Sequence, residues 1–74
     1  MRKEIMAIIL DNAKCEKLED GMRLQDITDS LDYCNMIWEL EEEMGRYVPD
    51  DKVKFLYHGT VAELLDYLTP NNAL

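Results

Sequence analysis

The sequence predicts an all-α fold, a small bundle of three main helices and one short helix with a long first loop. Apolar residues recur three and four positions apart along much of the chain, the spacing of the inner face of a helix. No segment is predicted to form a strand. The 74 residues include ten Leu, five Ile, three Val and one Phe, enough for the core of a single domain over residues 1–74.

The first helix is predicted over about residues 2–15, where an apolar residue returns every third or fourth position. These apolar residues are Ile5, Ile8, Ile9 and Ala13. Residues 16–28 follow as a long connection, because Gly21 interrupts them and their apolar side chains are scattered. The side chains expected to pin this connection to the core are Leu18, Met22, Leu24 and Ile27.

The second helix is the clearest element of the sequence. Asp29 can cap its N-terminus, and Asp32 adds a negative charge in the first turn, where the helix dipole favours it. The helix is predicted to run to about Met44, because Gly45 then supplies a natural C-terminal stop.

A turn is predicted at residues 48–51, followed by a short third helix or irregular turn that ends at residues 58–59. The apolar residues of this segment are Val53, Phe55 and Leu56. The last helix opens with a capping-box pattern from Thr60 to Glu63, and Pro70 lies just beyond its predicted end. Its predicted inner stripe consists of Val61, Leu64, Leu65 and Leu68.

The second helix carries two apolar faces. The predicted core stripe consists of Tyr33, Met36, Ile37, Leu40 and Met44. Leu31, Cys34 and Trp38 form a second face, rotated by more than a third of a turn and bordered by carboxylates. A surface helix of a small bundle needs one core stripe, so the second face is predicted to dock a partner. The alternative is that Trp38 folds over the first loop and belongs to the core.

The charge of the chain bears on its partners. Sixteen Asp and Glu against eight Lys and Arg give a net charge of -8. Such a surface repels phosphate backbones and anionic lipids, so we expect neither nucleic acid nor a membrane as a partner, and expect proteins with basic patches instead.

The sequence also bears on the compartment. The apolar residues 5–10 are too few for a signal-peptide core or a membrane span. Cys15 and Cys34 match no metal-site spacing, and no secretory signal accompanies them. Both are therefore predicted to be reduced thiols of a cytoplasmic protein.

Ser30 is predicted in the first turn of the second helix, where a serine is ordinarily a capping residue. A nucleophilic serine needs a positioned base, and the only histidine, His58, is predicted in a turn beside a glycine. We therefore predict no catalytic residue and no enzyme. Asp26, Asp29 and Asp32 lack the alternating ligands and the glycine of a calcium loop, so no dedicated metal site is predicted.

Residues 29–32, Asp-Ser-Leu-Asp, resemble the Asp-Ser-Leu attachment motif of acyl carrier proteins. The resemblance continues, in family-like order and nearly family-like spacing, through residues 40–44, 48–50, 60–61 and 66–68. The three-residue motif alone recurs by chance, whereas the combination is specific. With the first helix included, the resemblance covers essentially the whole chain.

The resemblance implies that a phosphopantetheinyl transferase attaches 4'-phosphopantetheine from coenzyme A to Ser30. The thiol of this cofactor would carry acyl groups as thioesters for fatty-acid, polyketide or related specialised biosynthesis. It further implies a monomeric, right-handed up-down bundle that docks acyl-transfer and chain-elongation enzymes through the second helix. The expected partner contacts are Asp29, Leu31, Asp32, Cys34, Trp38, Glu41 and Glu42.

The sequence departs from the family pattern in several places. Residues 26–28 stand where a glycine usually precedes the motif, the first loop is shorter than in typical fatty-acid carriers, and two extra residues precede Thr60. Trp38 is bulkier than its usual counterpart. These departures count against a house-keeping fatty-acid role, and a specialised carrier that serves a dedicated pathway or loads an amino acid or aryl acid is at least an equal alternative. The missing glycine also leaves open an unmodified helical interaction module with the same fold. Any acyl cavity would depend on the packing of Met6, Met36, Ile37, Leu40, Phe55, Leu64 and Leu65.

Overall fold

A computed structural model describes residues 2–69, and the regular structure of this part of the chain is helical. The helices are α1 (Arg2–Asn12), α2 (Leu24–Ile27), α3 (Ser30–Met44), α4 (Asp50–Tyr57) and α5 (Val61–Leu68). The all-α prediction is confirmed for these residues, with five helices in place of the predicted four. None of these helices has the length and apolar character needed to cross a membrane.

Helix α1 ends at Asn12, about three residues before its predicted end. The backbone N–H of Lys14 donates to the carbonyl of Ile27 at 2.7 Å instead of continuing the helix. A hydrogen bond to a distant part of the chain thus outweighs the local helical pattern. The first residues of the connection, just after α1, are consequently fixed beside the start of α3.

The connection between α1 and α3 contains the short helix α2, which was not predicted. Leu24 and Ile27 of α2 are buried in the core, three positions apart. Backbone hydrogen bonds tie the connection to the segment around the start of α5, including Leu24 N–H to the Gly59 carbonyl (3.0 Å) and Val61 N–H to the Met22 carbonyl (2.8 Å). The predicted loop is therefore held in place by its buried side chains and by its backbone hydrogen bonds.

Helix α3 begins and ends where its capping residues predict. The Asp29 side chain accepts a hydrogen bond from the Asp32 backbone N–H, and Gly45 follows the last helical residue with φ 66° and ψ 31°. This left-handed conformation is favourable for glycine because no Cβ is present. The Gly45 N–H donates to the Glu41 carbonyl. Both predicted helix ends are confirmed.

Helix α4 is a full helix of eight residues, and it begins at Asp50 inside the predicted turn. Leu56 is buried, and Val53 and Tyr57 are partly buried against the core. Phe55 lies about 200° around the helix from Val53, at 100° per residue, and is 63% exposed. The expectation that Phe55 helps to line an interior cavity is therefore wrong.

The core combines buried side chains from all five helices and from the loop residue Val48. Helix α1 lies along α3, and α2 contacts α4. Helix α5 begins with the predicted capping box, in which Glu63 N–H donates to Thr60 Oγ1 at 3.2 Å and Thr60 N–H donates to Glu63 Oε1 at 2.8 Å. Its predicted inner stripe is buried. Pro70 lies outside the described residues.

Candidate functional site

Ser30 is the first residue of α3 and is exposed to solvent. The cap of this helix is the preceding residue, Asp29, whose Oδ1 accepts the Asp32 N–H at 2.8 Å. Within residues 2–69 the Ser30 hydroxyl has no hydrogen-bond partner. The interpretation of Ser30 as the helix cap is thus excluded, and its hydroxyl is available on the surface.

The Asp29 carboxylate makes two charge-assisted contacts beside Ser30. One oxygen accepts the Asp32 N–H, and the other lies 3.2 Å from the Lys14 Nζ. The hydrogen bond from the Asp32 backbone and the one from Lys14 lower the pKa of Asp29. Lys14 is itself positioned by the bond of its backbone to Ile27. This network fixes the start of α3 against the end of the first connection.

Asp29→Ala is expected to lower the melting temperature, because it removes both the helix cap and the ion pair with Lys14. Asp29→Asn is the matched control. Its side-chain oxygen can still accept a hydrogen bond from the Asp32 N–H, so its melting temperature should fall less than that of the alanine variant. Thermal unfolding followed by circular dichroism measures both differences. An equal decrease in melting temperature for the two variants would show that the helix cap contributes nothing to stability.

The effect of Asp29→Asn on the melting temperature is expected to depend on pH. The pKa of Asp29 is lowered in the folded chain, so the stabilisation by its charge is complete above its ordinary pKa of 3.8. It is lost as the pH falls through the lower folded pKa. The difference in melting temperature between the native chain and Asp29→Asn should therefore narrow on acidification. A difference that stays constant down to strongly acidic pH would contradict this assignment.

A largely apolar groove of about 250 Å³ opens beside Ser30, between α3 and α4. It is lined by Ser30, Tyr33, Cys34, Val53, Lys54, Tyr57 and His58. The rings of Tyr33 and Tyr57 contact each other with 4.7 Å between centroids and their planes tilted by 52°. The Tyr33 hydroxyl donates to the Val53 carbonyl at 2.6 Å, and burial raises its pKa, so it remains a donor at neutral pH. We call this space the Ser30 groove.

The α4 side of the Ser30 groove was missed by the sequence analysis. Val53 and Tyr57 are four positions apart and share one face of α4. This spacing was visible in the sequence, but a segment interpreted as a short helix or irregular turn has no defined face. His58, assigned to a turn, also lines the groove, and its Nδ1 lies 2.7 Å from Gln25 Oε1.

The second apolar face of α3 is exposed. Leu31 is 70% exposed and Trp38 62% exposed, and the Cys34 thiol between them is free and exposed. Trp38 therefore does not cover the first loop as a core residue. Residues of this size exposed on one face are typical of a surface that contacts another molecule.

The carboxylates along α3 have different surroundings. Glu41 is partly buried, and its Oε2 accepts the Val48 backbone N–H at 2.7 Å, which holds the loop after the helix. Glu42 is exposed, and Asp32 is partly buried in the first turn. Glu39 accepts a hydrogen bond from Asn12 Nδ2 at 3.1 Å. Of the predicted acidic contacts, Asp29 and Glu42 are exposed, and Asp29 is paired with Lys14.

A second groove, of about 320 Å³, lies at the C-terminal end of α3. It is lined by Trp38, Glu41, Glu42, Gly45, Arg46 and Tyr47. Tyr47, which the sequence analysis did not single out, is 70% exposed. We call this space the Trp38–Tyr47 groove. The predicted contact residues thus fall into two places. Asp29, Leu31, Asp32 and Cys34 lie near Ser30, and Trp38, Glu41 and Glu42 lie near Tyr47.

Within residues 2–69, no three or more His, Cys, Asp or Glu side chains are grouped so that they could hold a metal ion. Cys15 is partly buried and is a free thiol, as is Cys34. No model of a known protein family matches this sequence, and no solved structure matches the chain. The functional assignment consequently depends on the chain's own residues and their geometry.

Proposed function

We propose that this chain is an acyl carrier protein with a 4'-phosphopantetheine group attached to Ser30. The observation that carries the proposal is the exposed Ser30 hydroxyl, which has no hydrogen-bond partner in residues 2–69 and borders an apolar groove. Such a hydroxyl is accessible to a modifying enzyme and has no hydrogen bond that must be broken first. The motif Asp29-Ser30-Leu31 resembles the attachment site of this family, whose right-handed bundle we also propose for the chain.

The electrostatics at Ser30 suit a phosphodiester. The N-terminus of a helix carries a partial positive charge and unpaired N–H groups, which favour an attached phosphate. The Asp29 carboxylate would oppose this charge, but Lys14 forms an ion pair with it at 3.2 Å. Lys54 lines the adjoining groove and adds a second cation nearby.

The Ser30 groove indicates the size of the acyl group. A dry cavity of about 150 Å³ holds one benzene ring, so the groove of about 250 Å³ has room for one ring or a short acyl chain. Met36, Leu40 and Leu64 do not line this groove and are fully buried in the core. These features favour a specialised carrier of short or aromatic acyl groups over a carrier of long fatty acids.

The protein would hold and present the acyl thioester, while partner enzymes make and break bonds. Covalent attachment raises the local concentration of the acyl group at each docked enzyme. The exposed Leu31 and Trp38 offer apolar contact area along α3, and the net charge of -8 attracts enzymes with basic docking patches. A phosphopantetheinyl transferase and acyl-transfer or chain-elongation enzymes are the proposed partners.

Incubation with coenzyme A and a broad-specificity phosphopantetheinyl transferase tests this function. We expect the intact mass of the chain to increase by one phosphopantetheinyl group, and the product to gain a thiol that accepts an acyl group. An established carrier protein in a parallel reaction shows that the transferase is active. An unchanged mass of our chain under those conditions would contradict the proposal.

An unmodified helical interaction module is the second candidate function. The exposure of Leu31 and Trp38 favours it, because this face can bind a partner without any group on Ser30. This candidate predicts no mass increase with the transferase, and partner binding that Ser30→Ala leaves unchanged. A carrier predicts the mass increase and needs Ser30 for its delivery of acyl groups.

A further inference from the structure

We infer that a basic, aromatic patch on α4 and α5 binds an acidic helix of a partner protein. The patch consists of Arg46, Lys52, Phe55 and Tyr67, and we call it the Tyr67 patch. Lys52, Phe55 and Tyr67 line neither the Ser30 groove nor the Trp38–Tyr47 groove. The patch is therefore a separate surface, opposite in charge to the carboxylates along α3, and the inference does not rest on the proposed function.

Two cations lie over the aromatic rings of the Tyr67 patch. The Arg46 Cζ is 5.4 Å and the Lys52 Nζ 5.8 Å from the centroid of the Tyr67 ring. The Lys52 Nζ is also 5.5 Å from the centroid of the Phe55 ring. Cations at such distances are attracted to the faces of the rings. Because Tyr67 packs against the core, its ring holds both positive groups at one place on the surface.

Neither cation of the patch is neutralised by an acidic side chain. Within residues 2–69 no carboxylate forms an ion pair with Arg46 or Lys52, although Asp50 and Asp51 directly precede Lys52. The chain has sixteen Asp and Glu for eight Lys and Arg, so carboxylates are not scarce. Both cationic residues are exposed, and their N–H donors are available to carboxylates of another molecule.

The patch lies on a different side of α4 from the Ser30 groove. At 100° per residue, Lys52 and Phe55 are about 60° apart and share one side of this helix. Lys54, which lines the Ser30 groove, is about 200° around the helix from Lys52. The two lysines therefore belong to different surfaces, although only one residue separates them in the sequence.

The spacing of the two cations suits a pair of carboxylates. Groups that lie 5.4 Å and 5.8 Å from the same ring centroid are at most about 11 Å apart. Two glutamates four positions apart on a helix have their Cβ atoms about 5–6 Å apart, and their flexible side chains can reach over this range. A guanidinium donates in its own plane, so Arg46 can lie over a ring and bind a carboxylate at the same time.

The Phe55 ring favours a protein helix over a small anion. It is 63% exposed and offers apolar contact area beside the cations, and arginine and aromatic residues are enriched in the cores of protein interfaces. The net charge of -8 repels an acidic protein at long range. At physiological ionic strength this repulsion is screened beyond about 8 Å, so the contacts at the patch decide the binding.

The test uses a helical peptide of alanine and glutamine with two glutamates four positions apart and a leucine on the same face. The unmodified, isotopically labelled chain is observed by NMR at an ionic strength of about 0.15 M. We expect shift changes at Arg46, Lys52, Phe55 and Tyr67. One control peptide replaces both glutamates by glutamine, and a second moves one glutamate to the opposite side of the helix. Both should bind several-fold more weakly.

Variants of the chain locate the binding. Arg46→Gln and Lys52→Gln should each weaken the binding of the acidic peptide about two- to five-fold, the range of an exposed ion pair. Lys54→Gln is the matched control, because it removes the same charge from the other side of α4, and it should leave the affinity for this peptide unchanged. Since all three side chains are exposed, the fold should persist, which the NMR spectrum of each variant reports directly.

Several outcomes would overturn the inference. Equal binding of the glutamine peptide would show an apolar contact without recognition of charge. Equal shift changes with acetate, at the same concentration of carboxylate, would show an unspecific anion site. An equal loss of affinity in Lys54→Gln would show an effect of total charge alone, and an absence of binding would also refute the inference. Shift changes that depend on the concentration of the chain alone would show that a second copy occupies the patch. The results at Ser30 do not affect any of these outcomes.

Discussion

Ser30→Ala is expected to abolish attachment of phosphopantetheine completely, while the free energy of unfolding stays within about 0.5 kcal/mol of that of the native chain. Ser30 is the only serine in the sequence, so no second serine can replace it. Its hydroxyl has no hydrogen-bond partner in residues 2–69, and Asp29 performs the capping. Alanine is also a better helix former than serine.

Two measurements on the same samples check this prediction. Intact mass after reaction with the transferase and coenzyme A reports the attachment, and urea unfolding reports the stability. Thr69→Ala is a suitable control, because it removes a hydroxyl that donates to the Leu65 carbonyl at the other end of the chain. Thr69→Ala should still gain the mass of one phosphopantetheinyl group. Attachment that persists in Ser30→Ala, or a stability loss typical of a missing cap, would contradict the account.

Leu40→Ala is expected to destabilise the chain by about 2–5 kcal/mol, whereas Leu31→Ala should change its stability by about 0.5 kcal/mol or less. Both leucines are on α3, but Leu40 is 0% exposed and Leu31 lies on the opposite, solvent-facing side. The alanine at position 40 leaves a cavity in the core, and the alanine at position 31 leaves none.

The size of the Leu40→Ala effect makes it easy to measure. A single core in a domain of this size rarely supplies more than about 3–5 kcal/mol, so the variant should lose much of its helical circular dichroism at 25 °C. Leu31→Ala is the matched control for the same substitution on the same helix. If both variants lose similar stability, the second face of α3 is part of the core and cannot serve as a docking surface.

The parts of the fold that were predicted correctly are those that depend on residues close together in the sequence. Asp29 and Gly45 define the ends of α3 through contacts within one turn, and the capping box from Thr60 to Glu63 opens α5 in the same way. The core stripe of α3 follows from its helical spacing alone. These elements need no information about the rest of the chain.

The errors lie where distant contacts decide the structure. The bond from Lys14 to Ile27 ends α1 early, and the bond from Leu24 to Gly59 supports α2 within a loop. Neither partner is visible in the local sequence. For the same reason, Phe55 was expected to help line an acyl cavity, although the orientation of α4 directs it to solvent.

The candidate site was predicted only in part. The sequence indicated the exposed face of α3 from its helical spacing. It indicated Ser30 through the resemblance of residues 29–32 to an attachment motif, because helix position alone predicts a capping residue there. It did not indicate that Glu41 holds the loop through Val48, or that Tyr47 lies beside Trp38. These contacts form after Gly45, where the direction of the chain depends on tertiary packing.

The most direct test of the central claim is to locate the added group after the transferase reaction by fragmentation mass spectrometry. The account predicts that the phosphopantetheinyl group is found on the Ser30 side chain and nowhere else. Its discovery on Thr28, on Cys34 or on any other side chain, or its absence from every peptide, would contradict the claim that the exposed hydroxyl of Ser30 is the attachment point.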